Sequence, residues 1–182
     1  MKSFINKLTL ALCLLSFFAC GKIKDATTKD IPVESITIEL NDITVQEKTR
    51  GELQKFYAEQ TIKLEDIEAL TDEAIKYSDL VESVSVGSAS IIIYSVDEVG
   101  TVVEEFVLDA KEVSKIEIKE YVLKTEVNTK EVQSFAASVL KHLLLYNKVN
   151  VVTSGNTDIP SGKNLRVKIS LKNVNIRASV LK

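Results

Sequence analysis

The stretch RVKISLKNVNIRASV, Arg166–Val180, changes its alternation half-way along. Val167, Ile169 and Leu171 alternate with polar residues, Lys172-Asn173 intervene, and Val174, Ile176, Ala178 and Val180 continue on the opposite parity. A period of two marks a strand with one buried face. The break has two readings. One extra residue forms a β-bulge, which bends a long strand and keeps its apolar set inward; alternatively the chain makes a tight hairpin. SITIELNDITVQ (Ser35–Gln46) breaks in the same way at Asn41-Asp42, and KIEIKEYVL (Lys115–Leu123) at Lys119-Glu120. None of the three dipeptides contains the glycine that two-residue hairpins favour, so long, bulged strands are the preferred reading. Strands that bend are what a sandwich or a curled antiparallel sheet needs at its corners.

Working outward, LQKFYAEQTIKL (Leu53–Leu64) alternates through Phe56, Ala58 and Ile62. Within ESVSVGSASIIIYSV (Glu82–Val96), the run Ile91–Tyr94 reads as a central strand buried on both faces. A turn is expected around Asp97–Gly100, with VVEEFVL (Val102–Leu108) returning as a hairpin partner.

Two helices interrupt the strands. One lies near Thr71–Leu80, with Thr71 as N-cap and Asp72-Glu73 in the first turn. The other spans about 128–146, with Asn128 as cap and Glu131 completing a capping box. Val132, Phe135, Ala136, Val139, Leu140 and Leu143 then form one helical stripe. Burying it is worth at most about 10 kcal/mol gross. The opposite face is mixed in sign and poor in Lys and Arg, unlike helices that lie on bilayers, so the stripe is expected to pack on the sheet. Leu145 falls off the stripe; either the helix has ended there or something covers it. The expected fold is mostly β with two helices (α+β): a β-sandwich-like or curled antiparallel sheet with one amphipathic helix on it.

The N-terminal stretch LTLALCLLSFFACGK, Leu8–Lys22, is of another kind. Lys2 and Lys7 precede an apolar run of about a dozen residues, too short to span a bilayer as a helix, which takes roughly 20. Ala19 then stands before Cys20, the pattern of a secretory signal. FFACG resembles the lipobox of bacterial lipoproteins, although Phe17 stands where Leu is usual and Phe18 where a small residue is common. The resemblance implies cleavage after Ala19, a diacylglyceryl thioether on Cys20 and an N-acyl chain of the palmitate type. An ordinary signal peptide with a chance cysteine is the alternative, but no polar segment separates the apolar run from Cys20. Cys13 is discarded with the signal, so Cys20 is the only remaining thiol and no intramolecular disulfide forms.

Two or more acyl chains anchor stably, at about 0.8 kcal/mol per buried methylene. Gly21 rather than Asp after the cysteine leans towards the outer membrane, as the resemblance implies for Gram-negative lipoproteins. The expected organisation is a signal peptide over 1–19, a lipidated cysteine and linker over 20–33, and one β-rich domain over 34–182. The linker places the domain close to the membrane surface.

The chain has 182 residues and a formal charge of −3; without residues 1–19 it carries 21 basic and 26 acidic residues, net −5. This is no electrostatic footprint for nucleic acid. Chemistry is sparse. His142, the single histidine, sits at the edge of the helical stripe and reads as a surface residue, and a structural zinc site lacks ligands. No cofactor or metal is expected.

The carboxylate groups Asp97-Glu98, Glu104-Glu105 and Glu65, Asp66 and Glu68 read as solvated faces. Adjacent strand residues point to opposite faces, so Glu104 and Glu105 cannot serve one substrate atom if that stretch is regular. SGNTDIPSGKN (Ser154–Asn164) has six residues between its glycines where a phosphate loop has four, and it joins two strands, so it is read as a surface loop. Phe56, Phe106, Phe135 and most of the five tyrosines fall in apolar runs that read as core, leaving few platforms for sugars.

The leading functional reading is a membrane-anchored envelope lipoprotein with a non-catalytic binding or structural role, its partner an envelope protein. In layout the chain resembles small Gram-negative envelope lipoproteins with a mostly β domain. The alternative is a carrier for an apolar ligand held between sheet and helix, lined by Phe135, Val139, Leu140 and Leu143 if these are not simply core. An enzyme ranks third.

Overall fold

The computed structural model describes residues 27–47, 53–67, 69–95 and 102–180. Among these residues seven strands run as β1 (Thr28–Thr44), β2 (Gln54–Lys63), β3 (Val81–Ser95), β4 (Val102–Ala110), β5 (Ser114–Val122), β6 (Lys148–Thr157) and β7 (Asn164–Ser179). Helix α1 covers Asp72–Lys76 and α2 covers Lys130–Tyr146, with 3-10 turns at Leu64–Asp66 and Ser78–Leu80. The strands form two antiparallel sheets, ordered β1-β7-β3 and β2-β6-β4-β5. The fold is mostly β and sandwich-like, as the alternation predicts. At one end Val45 bridges to Phe56 and joins the sheets.

The three parity breaks do not make hairpins. β1, β5 and β7 each run straight through theirs, and Asp42, Glu120 and Asn173 all take a positive φ, of 57°, 51° and 52°. Asn41-Asp42 is a register shift between Leu40 and Ile43, as a bulge requires. Lys172-Asn173 is different, and the expectation of an extra residue is corrected there. The register of β7 continues unbroken past Asn173 against both neighbours, from Val33↔Val174↔Val86 to Ile36↔Leu171↔Ala89. All three strands change buried parity along the single row Glu34–Asn173–Gly87. Directly opposed residues share a face, so a flip in the central strand obliges both neighbours to flip with it.

Lys119-Glu120 behaves likewise against β4. The step ends at β6, which pairs with β4 through a register shift between Val103 and Glu105.

Other expectations also change. Thr28–Val33, expected as linker, is the start of β1 and pairs with β7, because Ile31 and Val33 are already on the buried parity. Pro32 is tolerated because β1 is an edge strand. β4 is not the hairpin partner of β3; it crosses to the other sheet, and its hairpin is with β5. The turn expected at Asp97–Gly100 lies outside the described residues.

β3 is an edge strand rather than a central one. Its free edge is closed by the chain after β5: Ile91 and Val127 exchange backbone hydrogen bonds of 3.0 Å, and Lys124 N–H donates to the Ile93 carbonyl at 2.8 Å. The Tyr121 hydroxyl accepts the Ile93 N–H at 2.8 Å and donates to the Thr125 carbonyl.

Helix α2 lies along β3, with the Gln133 side-chain amide donating to the Gly87 carbonyl at 3.2 Å and Lys141 to the Glu82 carbonyl at 2.8 Å. Its whole predicted stripe is buried, and Leu144 with it. Leu145 is still within the helix, covered by contact with the core. The cap is Thr129, not Asn128: its hydroxyl accepts the Val132 N–H at 3.3 Å. Glu131 therefore falls one residue short of the capping-box position; its carboxyl is held below the usual range by its own backbone N–H and then by the Thr129 hydroxyl. In α1, Thr71 caps as predicted, accepting the Ala74 N–H at 3.2 Å.

Gly155 marks the tightest place in the second sheet. It is in register with Phe56 on β2 and Phe106 on β4. The two rings lie 6.2 Å apart, both buried, and a Cβ on Gly155 would fall 1.9 Å from the Glu105 carbonyl oxygen and 2.6 Å from the Phe56 ring.

Candidate functional site

Among the described residues an apolar groove of about 470 Å³ is lined by Lys63, Leu64, Glu65, Ile75, Tyr146, Asn147 and Lys148. Four elements meet there. β2 ends at Lys63 and turns into the 3-10 turn at Leu64, whose N–H donates to the Asn147 carbonyl at 2.9 Å. Asn147 ends α2 with a left-handed φ of 63°, and its N–H returns to the Leu143 carbonyl. β6 begins at Lys148, and α1 brings Ile75. Ile75 is 47% exposed and Tyr146 63%, so the walls are apolar while solvent still reaches them.

The groove's charged lining is two lysines, Lys63 and Lys148, and one glutamate, Glu65. Lys63 pairs with Glu65 at 3.0 Å, and that hydrogen-bonded carboxylate holds the ammonium above its ordinary range. Asp66 accepts the Lys63 N–H. The neighbouring α1 is tied to the start of β1 through the ion pair of Glu73 with Lys29. The Tyr77 ring lies 5.6 Å from the Lys29 ammonium and 5.4 Å from that of Lys76.

The predicted site residues are not brought together here. Ala19 and Cys20 lie outside the described residues, as do Asp97, Glu98 and Glu68. Phe135, Val139, Leu140 and Leu143 are at most 2% exposed and belong to the core cluster. His142 is half-buried on α2, its ring 4.5 Å from that of Tyr146. Glu105 accepts a 3.0 Å hydrogen bond from Asn156 on β6, while Glu104 is exposed at the register step.

Ser154–Asn164 is only partly a loop. Ser154–Thr157 belong to β6, and Ile159 is buried, its N–H donating to the Thr157 hydroxyl at 3.1 Å. Of the tyrosines only Tyr121 is core; Tyr57 and Tyr146 are exposed. Among the described residues no three His, Cys, Asp or Glu side chains gather as a metal site requires, and no helix is long and apolar enough to cross a membrane.

The groove itself was missed by sequence reasoning. Its residues come from three separated segments, and the only local signal was the apolar Leu145-Tyr146 pair continuing beyond the stripe.

No family model matches the chain, and no curated protein matches it. Several solved structures with a partial likeness to the chain are of viral proteins. The decameric BFDV capsid protein aligns at 8% identity over 82% of this chain and 98% of its own, with a TM-score of 0.41. Turnip yellow mosaic virus aligns at 9% over 86% and 97%, with a TM-score of 0.39. Desmodium yellow mottle tymovirus aligns at 9% over 85% and 90%, with a TM-score of 0.35.

Proposed function

We propose that the chain is a lipid-anchored lipoprotein of the cell envelope, held by acyl chains on Cys20, with a non-catalytic binding or structural role. The observation that carries this is FFAC: an apolar signal run ending directly at a small residue and the only cysteine that survives cleavage. Two further observations support it. Six residues, Gly21–Ala26, separate Cys20 from the first described residue, so the body stands at most about 25 Å from the anchor. Among the described carboxylates, Glu105 is engaged by Asn156, Glu65 by Lys63 and Glu73 by Lys29.

The test is expression of the full chain in a Gram-negative host, followed by membrane fractionation and mass spectrometry of the N-terminal peptide. The expected result is a membrane-bound protein beginning at an acylated Cys20, with the Cys20→Ala variant released from lipid processing. A wild-type protein recovered soluble with a free Cys20 thiol overturns the proposal.

A further inference from the structure

Among the described residues, six large apolar side chains are left exposed, and three gather at one end of the sandwich. Ile75 belongs to α1, which is fastened by Glu73 to Lys29, the second residue of β1. Tyr146 closes α2 and shares the groove with Ile75. Val180, 39% exposed, donates its N–H to the Thr27 carbonyl at 2.7 Å. All three therefore lie at the end of the molecule where β1 begins. Leu53 and Tyr57 belong to the opposite end of β2, beside the Val45–Phe56 bridge, and Val122 to the outermost pair of the β4–β5 hairpin.

Thr27, next to the start of β1, is also the point from which six residues lead back to Cys20. We propose that this end of the molecule is its membrane-contact surface, with Ile75, Tyr146 and Val180 seated in the headgroup region of a lipid bilayer. The inference rests on the lipid anchor proposed above, because a tether of at most about 25 Å brings the β1 end to the leaflet before any other part of the body. The side chains suit the place. Tyrosine presents an apolar ring and a polar tip to an interface. Lys148 at the groove and Lys76 beside Tyr77 are amphipathic side chains whose ammonium groups suit lipid phosphates, while Lys63 stays paired with Glu65. With Glu65 and Glu73 among them the charge is nearly balanced, so the acyl chains supply affinity and this surface sets orientation.

The chain contains no tryptophan, which makes one introduced indole a clean reporter. The full lipidated protein is placed in phosphatidylethanolamine–phosphatidylglycerol vesicles whose acyl chains are brominated. Tyr146→Trp and Tyr57→Trp variants are compared, with Ile75→Trp as a second probe of the same end. The expected result is loss of indole emission at positions 146 and 75 and none at 57. Protein that floats with the vesicles but is quenched at 57, or at no position, overturns the surface while leaving the anchor standing. Protein that fails to float overturns the anchor and this inference together. A dimer in detergent that Ile75→Asp dissociates would assign the surface to a second copy and overturn the inference as well.

Discussion

Asn173 stands directly across from Gly87, and a Cβ built on Gly87 would lie 2.8 Å from the Asn173 Cβ. The left-handed backbone of Asn173 carries the step in the central strand, and the missing side chain at 87 lets the neighbouring strand follow it. Gly87→Ala should therefore lower stability by about 1–3 kcal/mol, the usual cost of overpacking. Asn173→Gly keeps the positive φ without strain and should change little by itself. Because the two positions touch, the double variant should recover part of the Gly87→Ala loss. Urea midpoints for the four proteins, at unchanged m-value, check this.

Gly155 is the more stringent case. Its added Cβ would collide with the Glu105 backbone and with a ring, neither able to swing away. Gly155→Ala should cost at least about 3 kcal/mol, at or beyond the upper end of overpacking. The near-ultraviolet dichroism of the Phe56–Phe106 pair should change as well.

Tyr121 seals the edge of β3, so Tyr121→Phe leaves the Ile93 N–H buried without its acceptor. The expected loss is about 1–3 kcal/mol. Burial pushes the Tyr121 hydroxyl pKa up, against the lowering effect of its hydrogen bonds. A folded-state pKa above the unfolded value of about 10 favours the folded state fully below pH 10. That contribution is lost as pH rises from there through the folded-state pKa. Stability of the wild type should fall more between pH 9 and 11 than that of Tyr121→Phe, as chemical denaturation at each pH will show.

The cap of α2 separates two adjacent residues. Thr129→Ala should cost about 1 kcal/mol, the usual worth of a side-chain N-cap. Asn128→Ala should cost much less, because Thr129 supplies the acceptor. Thermal unfolding of both variants distinguishes them.

Much of this fold is legible in the sequence because alternation and helical spacing are local. The three parity breaks fall on Asp42, Glu120 and Asn173, each left-handed, and every residue of the α2 stripe is buried. What alternation does not encode is partnership. VVEEFVL has the pattern of a strand in either sheet, and it joins the second one. Ile91–Tyr94 is apolar throughout, yet its strand lies at an edge sealed by Val127 and Tyr121, distant residues. The cap moves by one residue because Asn128 and Thr129 are both competent, and turn geometry decides between them. The groove at Ile75 and Tyr146 leaves little pattern beyond the Leu145-Tyr146 pair, being assembled from three segments.

The pairing of β1 with β7 also has a temporal meaning. β7 lies between β1 and β3, so neither acquires its partner until the polypeptide is complete to Ser179. Closing so long a loop comes late and slows folding. A nascent chain stopped short of residue 164 would hold β1 and β3 without the strand that joins them into one sheet, sticky and incapable of maturing.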